Sequence, residues 1–149
     1  MTILQTVLAG AFGTVFMSLI MTLVHRAGWS NGDMVRAVGS LATRSLEGSV
    51  RAGLLIHLIS GVLFAIPYTI LLGLFAPDFG GSAVLIGCVL GLLHGIIVSL
   101  LIIAVFSDRH PVAQFRGAGV EIAAAHIFGH VGYGFGVAVA YSMLQITWG

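Results

Sequence analysis

Apolar residues run through this chain in four long blocks rather than in short amphipathic patches. The blocks cover 3–24, 52–75, 83–106 and 119–146, and the only Asp, Glu, Lys or Arg within them is Glu121. Crossing the hydrocarbon core of a bilayer takes about 20 predominantly apolar residues, a length each block reaches. A bilayer offers no water to unpaired backbone groups, so each block is expected to be a helix that satisfies its own N–H and C=O groups. The pattern predicts an all-α membrane protein, a four-transmembrane-helix up-down-up-down bundle forming a single domain over 1–149.

Between the first two blocks the pattern changes. Within the loop 25–51, the segment 33–46 places Met34, Val38 and Leu41 at helical spacing with Arg36 and Arg44 between them. That alternation predicts a short amphipathic helix lying in the membrane interface, which could also dock a partner. Pro67 is expected to kink the second span and Pro77 to help end it.

The charges set a direction. Arg26, Arg36, Arg44 and Arg51 flank or occupy the first connection, and Arg109 and Arg116 occupy the third. The second, 76–82, holds Asp78 and no basic residue. The positive-inside rule then puts both Arg-bearing loops in the cytoplasm and both termini outside, most simply in a bacterial cytoplasmic (inner) membrane. Trp29 and Trp148 fall at opposite ends as interfacial anchors. No Arg or Lys precedes the first block, and it exceeds the ~7–15 apolar residues of a signal peptide, so it reads as a retained helix.

Composition bears on what solvates the chain. Of 149 residues, 58% are hydrophobic and 7% charged, with a mean hydropathy of +1.10. A soluble domain carries about 25% charged residues, so lipid is the expected solvent over most of the surface. All six basic residues are Arg, the net charge is +1, and no basic patch is dense enough for nucleic acid. The single cysteine, Cys88, excludes an internal disulfide and reads as a small packing residue.

The second and fourth blocks share a pattern, His-x3-Gly-x3-Ala-x2-Tyr: His57, Gly61, Ala65 and Tyr68 in one, His130, Gly134, Ala138 and Tyr141 in the other. The first and third align more weakly through Gly10 and Gly87, which sets Met17 opposite His94. This predicts a duplicated helical hairpin with a pseudo-two-fold axis along the membrane normal. The pattern residues share one helical face. Its small residues serve close helix packing, as do Gly87, Gly91 and Gly95 or Gly132 and Gly136.

Candidate chemistry rests on histidine. His25 and His110 lie at membrane edges beside Arg26 and Arg109 and are expected to face solvent or headgroups. His57, His94, His126 and His130 lie inside the blocks, where ionisable residues are costly and mark functional sites. At 1.5 Å per residue, His94 sits near mid-span, with His130 and Met17 about 5 Å and His57 about 10 Å toward the cytoplasm. His126 lies one turn below His130 on the same face. Thr14, Ser18 and Thr22 form a polar stripe ending near His25.

Two chemistries fit. In the first, His57 and His130 ligate a haem, with Gly61 and Gly134 leaving room for the macrocycle. In the second, His57, His94, His130, His126 and Met17 supply a copper or zinc site, since imidazole suits these metals and a thioether favours Cu(I). A chlorophyll-type pigment held by one histidine, and a proton relay through Glu121, His126 and His130, also fit. Histidines that only hydrogen-bond across helices are the structural alternative. No CxxCH or HExxH motif occurs, no carboxylate falls at mid-bundle, and nothing resembles a nucleophile with its base.

The segments HLISGVLFAIPY (57–68), GLLHG (91–95) and HVGYGFG (130–136) resemble small uncharacterised bacterial membrane-protein families of four helices. The resemblance implies the topology and carries no activity. The expectation is a non-enzymatic membrane protein that binds a haem or transition metal through interior histidines, for electron transfer or metal handling beside a larger membrane complex. The alternatives are a cofactor-free structural accessory subunit and a small transporter or proton conduit. Expected partners are the lipid bilayer and a larger membrane-protein complex or further copies of the chain.

Overall fold

The apolar blocks become helices with defined ends. A computed structural model describes residues 1–29, 33–76, 80–106, 109–117 and 119–148, except for the side chains of residues 105, 106 and 148. These residues form α1 (Ile3–Arg26), α2 (Met34–Thr43), α3 (Ser49–Phe75), α4 (Gly81–Phe106), a 3-10 turn (Ala113–Phe115) and α5 (Val120–Trp148), with no strand among them. Four of these, α1, α3, α4 and α5, are long and apolar enough to cross a membrane. The chain is a multi-pass, all-helical membrane protein. Pro77, Asp78 and the side chain of Trp148 lie outside the described residues.

Local chemistry explains the helix starts. A capping box opens α1: Gln5 N–H donates to Thr2 Oγ1 at 3.3 Å, and Thr2 N–H donates to Gln5 Oε1 at 2.7 Å. Each bond satisfies a backbone donor at the helix start. Asp33 caps α2, accepting from Arg36 N–H at 3.2 Å. Pro67 sits inside α3, which continues to Phe75, although a proline withholds one backbone bond there.

The surface is greasier than the interior. Val15, Leu63, Leu100 and Phe128 are each at least 58% exposed, whereas Gln5, Thr14, Ser99, His126 and His130 are buried. This inversion suits a chain solvated by lipid, where close approach of small residues replaces the hydrophobic effect between helices. Glycines provide the approach. Gly87, Gly91 and Gly95 of α4 meet Gly134, His130 and Ile127 of α5, while Gly13 of α1 meets Tyr133 and Val137. Gly10 of α1 meets Gly61 and Ala65 of α3. A Cβ on Gly91 would fall 2.8 Å from Val131 Cα, too near for any side chain.

By contrast, α3 touches α4 and α5 far less than it touches α1. The bundle is therefore tight on three of its sides and loose between α3 and α4. One end of the gap is covered by α2. Gly39 of α2 lies against Ser49 and Gly53 of α3, and Ala37 joins Ile102 and Phe115 in a small apolar cluster. The short helix α2 is thus docked on the bundle. Both Arg-bearing connections gather at this end.

His110 holds this end together, and here the expectation of a solvated side chain is corrected. It is 0% exposed. Its Nε2 lies 3.0 Å from Ala37 O, and Val112 N–H donates to its Nδ1 at 3.1 Å. The neutral tautomer with the proton on Nε2 satisfies both bonds. Arg116 Nε–H donates to His110 O at 2.8 Å, and Phe115 packs edge-on against the imidazole at 5.1 Å. The ring tethers the α4–α5 connection to the backbone of α2. His25, in contrast, stays exposed as expected.

Candidate functional site, a histidine-lined cavity

Where α3 and α4 part, the bundle has a partly open cavity of about 500 Å³. That lies within the ~300–1,000 Å³ of small-molecule and cofactor sites. His57 (α3), His94 (α4), His126 and His130 (α5) all line it, with Met17 of α1. The five residues expected to be metal ligands thus share one hollow. The paired glycines part company. Gly61 lines the cavity, while Gly134 packs against Gly87 and Gly91 of α4 and lines no part of it.

Two of the imidazoles are held in fixed orientations by the backbone of α5. His130 Nδ1 donates to His126 O at 2.8 Å, and His126 Nδ1 donates to Ile122 O at 2.8 Å. A carbonyl can only accept, so both rings carry a proton on Nδ1, and in the neutral form Nε2 keeps its lone pair. Backbone bonding of this kind is what orients histidines that ligate metals. The rings of His126 and His130 lie 6.2 Å apart.

His94 is differently placed. Its Nδ1 is 3.3 Å from Tyr68 Oη, and its ring meets Phe64 at 4.3 Å and His130 edge-on at 4.6 Å. Its Nε2 is buried without a hydrogen-bond partner. His94 therefore lines the cavity with its ring packed between those of Phe64 and His130. Beside it, Tyr133 Oη donates to Gly61 O at 2.5 Å, joining α5 to α3.

Several lining residues were not among the expected ligands. Met21 and Met34 join Met17 around the cavity. Met21 follows Met17 by one helical turn, a signal the sequence carried. Met34 arrives only because α2 docks. Thr14, Ser18 and Thr22 all line the cavity, and each donates its hydroxyl proton to the carbonyl four residues earlier at 2.8 Å.

Two observations narrow the chemistry. Among the described residues, no group of three or more His, Cys, Asp or Glu is placed to hold a metal ion. Glu121 stands apart, lining a second hollow of about 330 Å³ with Val24, Trp29 and Phe128.

No protein-family model, curated protein or solved structure matches this chain.

Proposed function

We propose that this chain is a non-enzymatic integral membrane protein that binds a haem or transition metal through its cavity histidines, for electron transfer or metal handling beside a larger membrane complex. The observation that carries the reading is the convergence of four intramembrane histidines from three helices on one hollow. Burying imidazoles in lipid is costly unless they are used. A haem asks for one or two axial imidazoles, which the cavity supplies without a three-ligand cluster. His57 and His130 are the first candidates. Neither glycine keeps the expected room for a macrocycle: Thr14 of α1 fills the place of a Gly61 side chain, although Gly61 borders the cavity, and Gly134 serves the α4–α5 contact.

The proposed topology is up-down-up-down, with both termini outside and the Arg-bearing end in the cytoplasm of a bacterial inner membrane. Rising positions on α4 meet falling positions on α5, which supports antiparallel neighbours. The duplicated hairpin draws support from matched contacts. A Cβ on Gly10 would meet Gly61 O and Ala65 Cβ at 2.9 and 2.8 Å. A Cβ on Gly87 would meet Gly134 O and Ala138 Cβ at 2.5 and 2.6 Å.

The test is an absorption spectrum of the detergent-purified protein, oxidised and then reduced, with elemental analysis of the same sample. A Soret band or stoichiometric metal is expected, and it should be lost in the His57→Ala/His130→Ala double variant. Full retention of the cofactor in that variant overturns the assignment. The second reading, a cofactor-free accessory subunit, is favoured by one observation: the Nδ1 atoms of His94, His126 and His130 all have partners within the fold. It predicts a colourless, metal-free protein that copurifies with a partner. A proton conduit draws less support, because Glu121 opens onto a different hollow from His126 and His130.

A further inference from the structure

All three interior methionines face the same hollow. The chain has five; Met1 and Met143 are 41% and 61% exposed, while Met17, Met21 and Met34 line the cavity. Met17 and Met21 are 5% and 6% exposed. They converge on Gly129 of α5, the residue just before His130. A Cβ there would lie 2.8 Å from Met21 Sδ and 3.3 Å from Met17 Cε. The absent side chain is the space that the Met21 sulfur occupies. Methionine often fills irregular core gaps, so packing alone would explain one such residue.

The polar groups around the methionines add a second, independent constraint. Thr14, Ser18 and Thr22 spend their hydroxyl protons on backbone carbonyls of α1. Ser60 does the same on α3, and Tyr133 donates to Gly61 O. His126 and His130 spend their Nδ1 protons likewise. What these groups leave for a ligand is lone pairs: hydroxyl oxygens, imidazole Nε2 atoms and thioether sulfurs. The part of the lining that these groups form suits a cation; His25, His57 and His94 line the remainder.

The charge of that cation follows from the lining as well. Among the described residues, the only carboxylate lining the cavity is Asp33, at the N-cap of α2. The cost of moving an ion into a low-dielectric site grows with the square of its charge, so a divalent ion would be far more poorly compensated than a monovalent one. Thioether sulfur selects Cu(I) among biological metals, and imidazole tolerates it. Two imidazoles joined by thioether sulfurs make up a soft ligand set without a third His, Cys, Asp or Glu.

We propose that the cavity is a Cu(I) site formed by the thioethers of Met17 and Met21 with the Nε2 of His130 or His126, and that Met34 on α2 closes it. This rests on the histidine-cavity reading and names the metal within it. The test is anaerobic titration of the full-length protein in mild detergent with Cu(I), in competition with a chromogenic Cu(I) chelator. Parallel titrations use Zn(II) and haemin, and copper-edge X-ray absorption reports the ligands. Stoichiometric Cu(I) with both sulfur and nitrogen scatterers is expected. Met21→Leu should weaken it at least about tenfold, the lower bound for losing even an outer-sphere partner, and Met17→Leu/Met21→Leu should weaken it further. Leu conserves volume, so folding should survive. Unchanged Cu(I) affinity in the Met variants overturns the thioether site. If Cu(I) fails to bind but haemin or Zn(II) binds in a His57- and His130-dependent way, the copper inference falls while the histidine reading stands. If none of the three binds, both fall.

Discussion

Replacing His110 with alanine should release α2 from the bundle without disturbing the four spans. The size of the effect can be worked from the contacts. The variant loses the bond from Nε2 to Ala37 O at 3.0 Å and the bond from Val112 N–H to Nδ1 at 3.1 Å. Each contributes about 1 kcal/mol net, and leaving Val112 N–H unpaired adds about 1–2 kcal/mol. The lost contact with Phe115 at 5.1 Å leaves a void where that ring packed. The sum is on the order of 3 kcal/mol, which corresponds to roughly a hundredfold rise in the open population of this segment. Hydrogen–deuterium exchange in nanodiscs measures it directly. Peptides covering 34–43 and 109–117 should exchange about a hundredfold faster in His110→Ala, while peptides from the middle of α5 keep their protection. His110→Phe, which keeps a ring but no hydrogen bond, should fall between. If α2 exchanges at the wild-type rate in His110→Ala, the tether described here is wrong and Gly39–Gly53 packing alone holds the helix. The result also bears on the cavity, since Asp33, Met34, Val35 and Val38 of this segment line it.

Helix contacts yield further expectations. Gly91→Leu places a side chain against His130 and Val131 backbone atoms and should destabilise the bundle by about 1–3 kcal/mol or more, read as a lower midpoint in SDS unfolding. Gly81→Ala, with nothing within 4 Å of the added methyl, should stay within about 0.5 kcal/mol of the parent. Tyr133→Phe removes the bond to Gly61 O and should cost about 0.6 kcal/mol, the average for an interhelical hydrogen bond in a membrane; a loss above about 2 kcal/mol would mean that Tyr133 does more than join two helices.

The sequence by itself determined four helices long and apolar enough to cross a membrane. Apolar length and the near-absence of charge have one physical solution in lipid, and no tertiary detail can override it. It also marked His57, His94, His126 and His130 as interior groups, because an imidazole within an apolar block has nowhere to hide from hydrocarbon except inside the bundle. Helix periodicity put Met21 one turn from Met17 and tied the Thr14–Ser18–Thr22 stripe to one face. Which faces meet was not legible in the same way. Gly61 and Gly134 occupy equivalent places in the repeat and each is packed by a neighbouring helix, yet only Gly61 also borders the cavity. Only the unequal spacing of α3 and α4 decides that. His110, set beside Arg109 in a polar connection, read as a solvated edge residue; it is buried because α2 folds back to meet it across 73 positions. Met34 enters the cavity for the same reason. A periodic pattern reports the environment along one helix, whereas a cavity is made by the distances between several, and those distances exist only once the helices are packed.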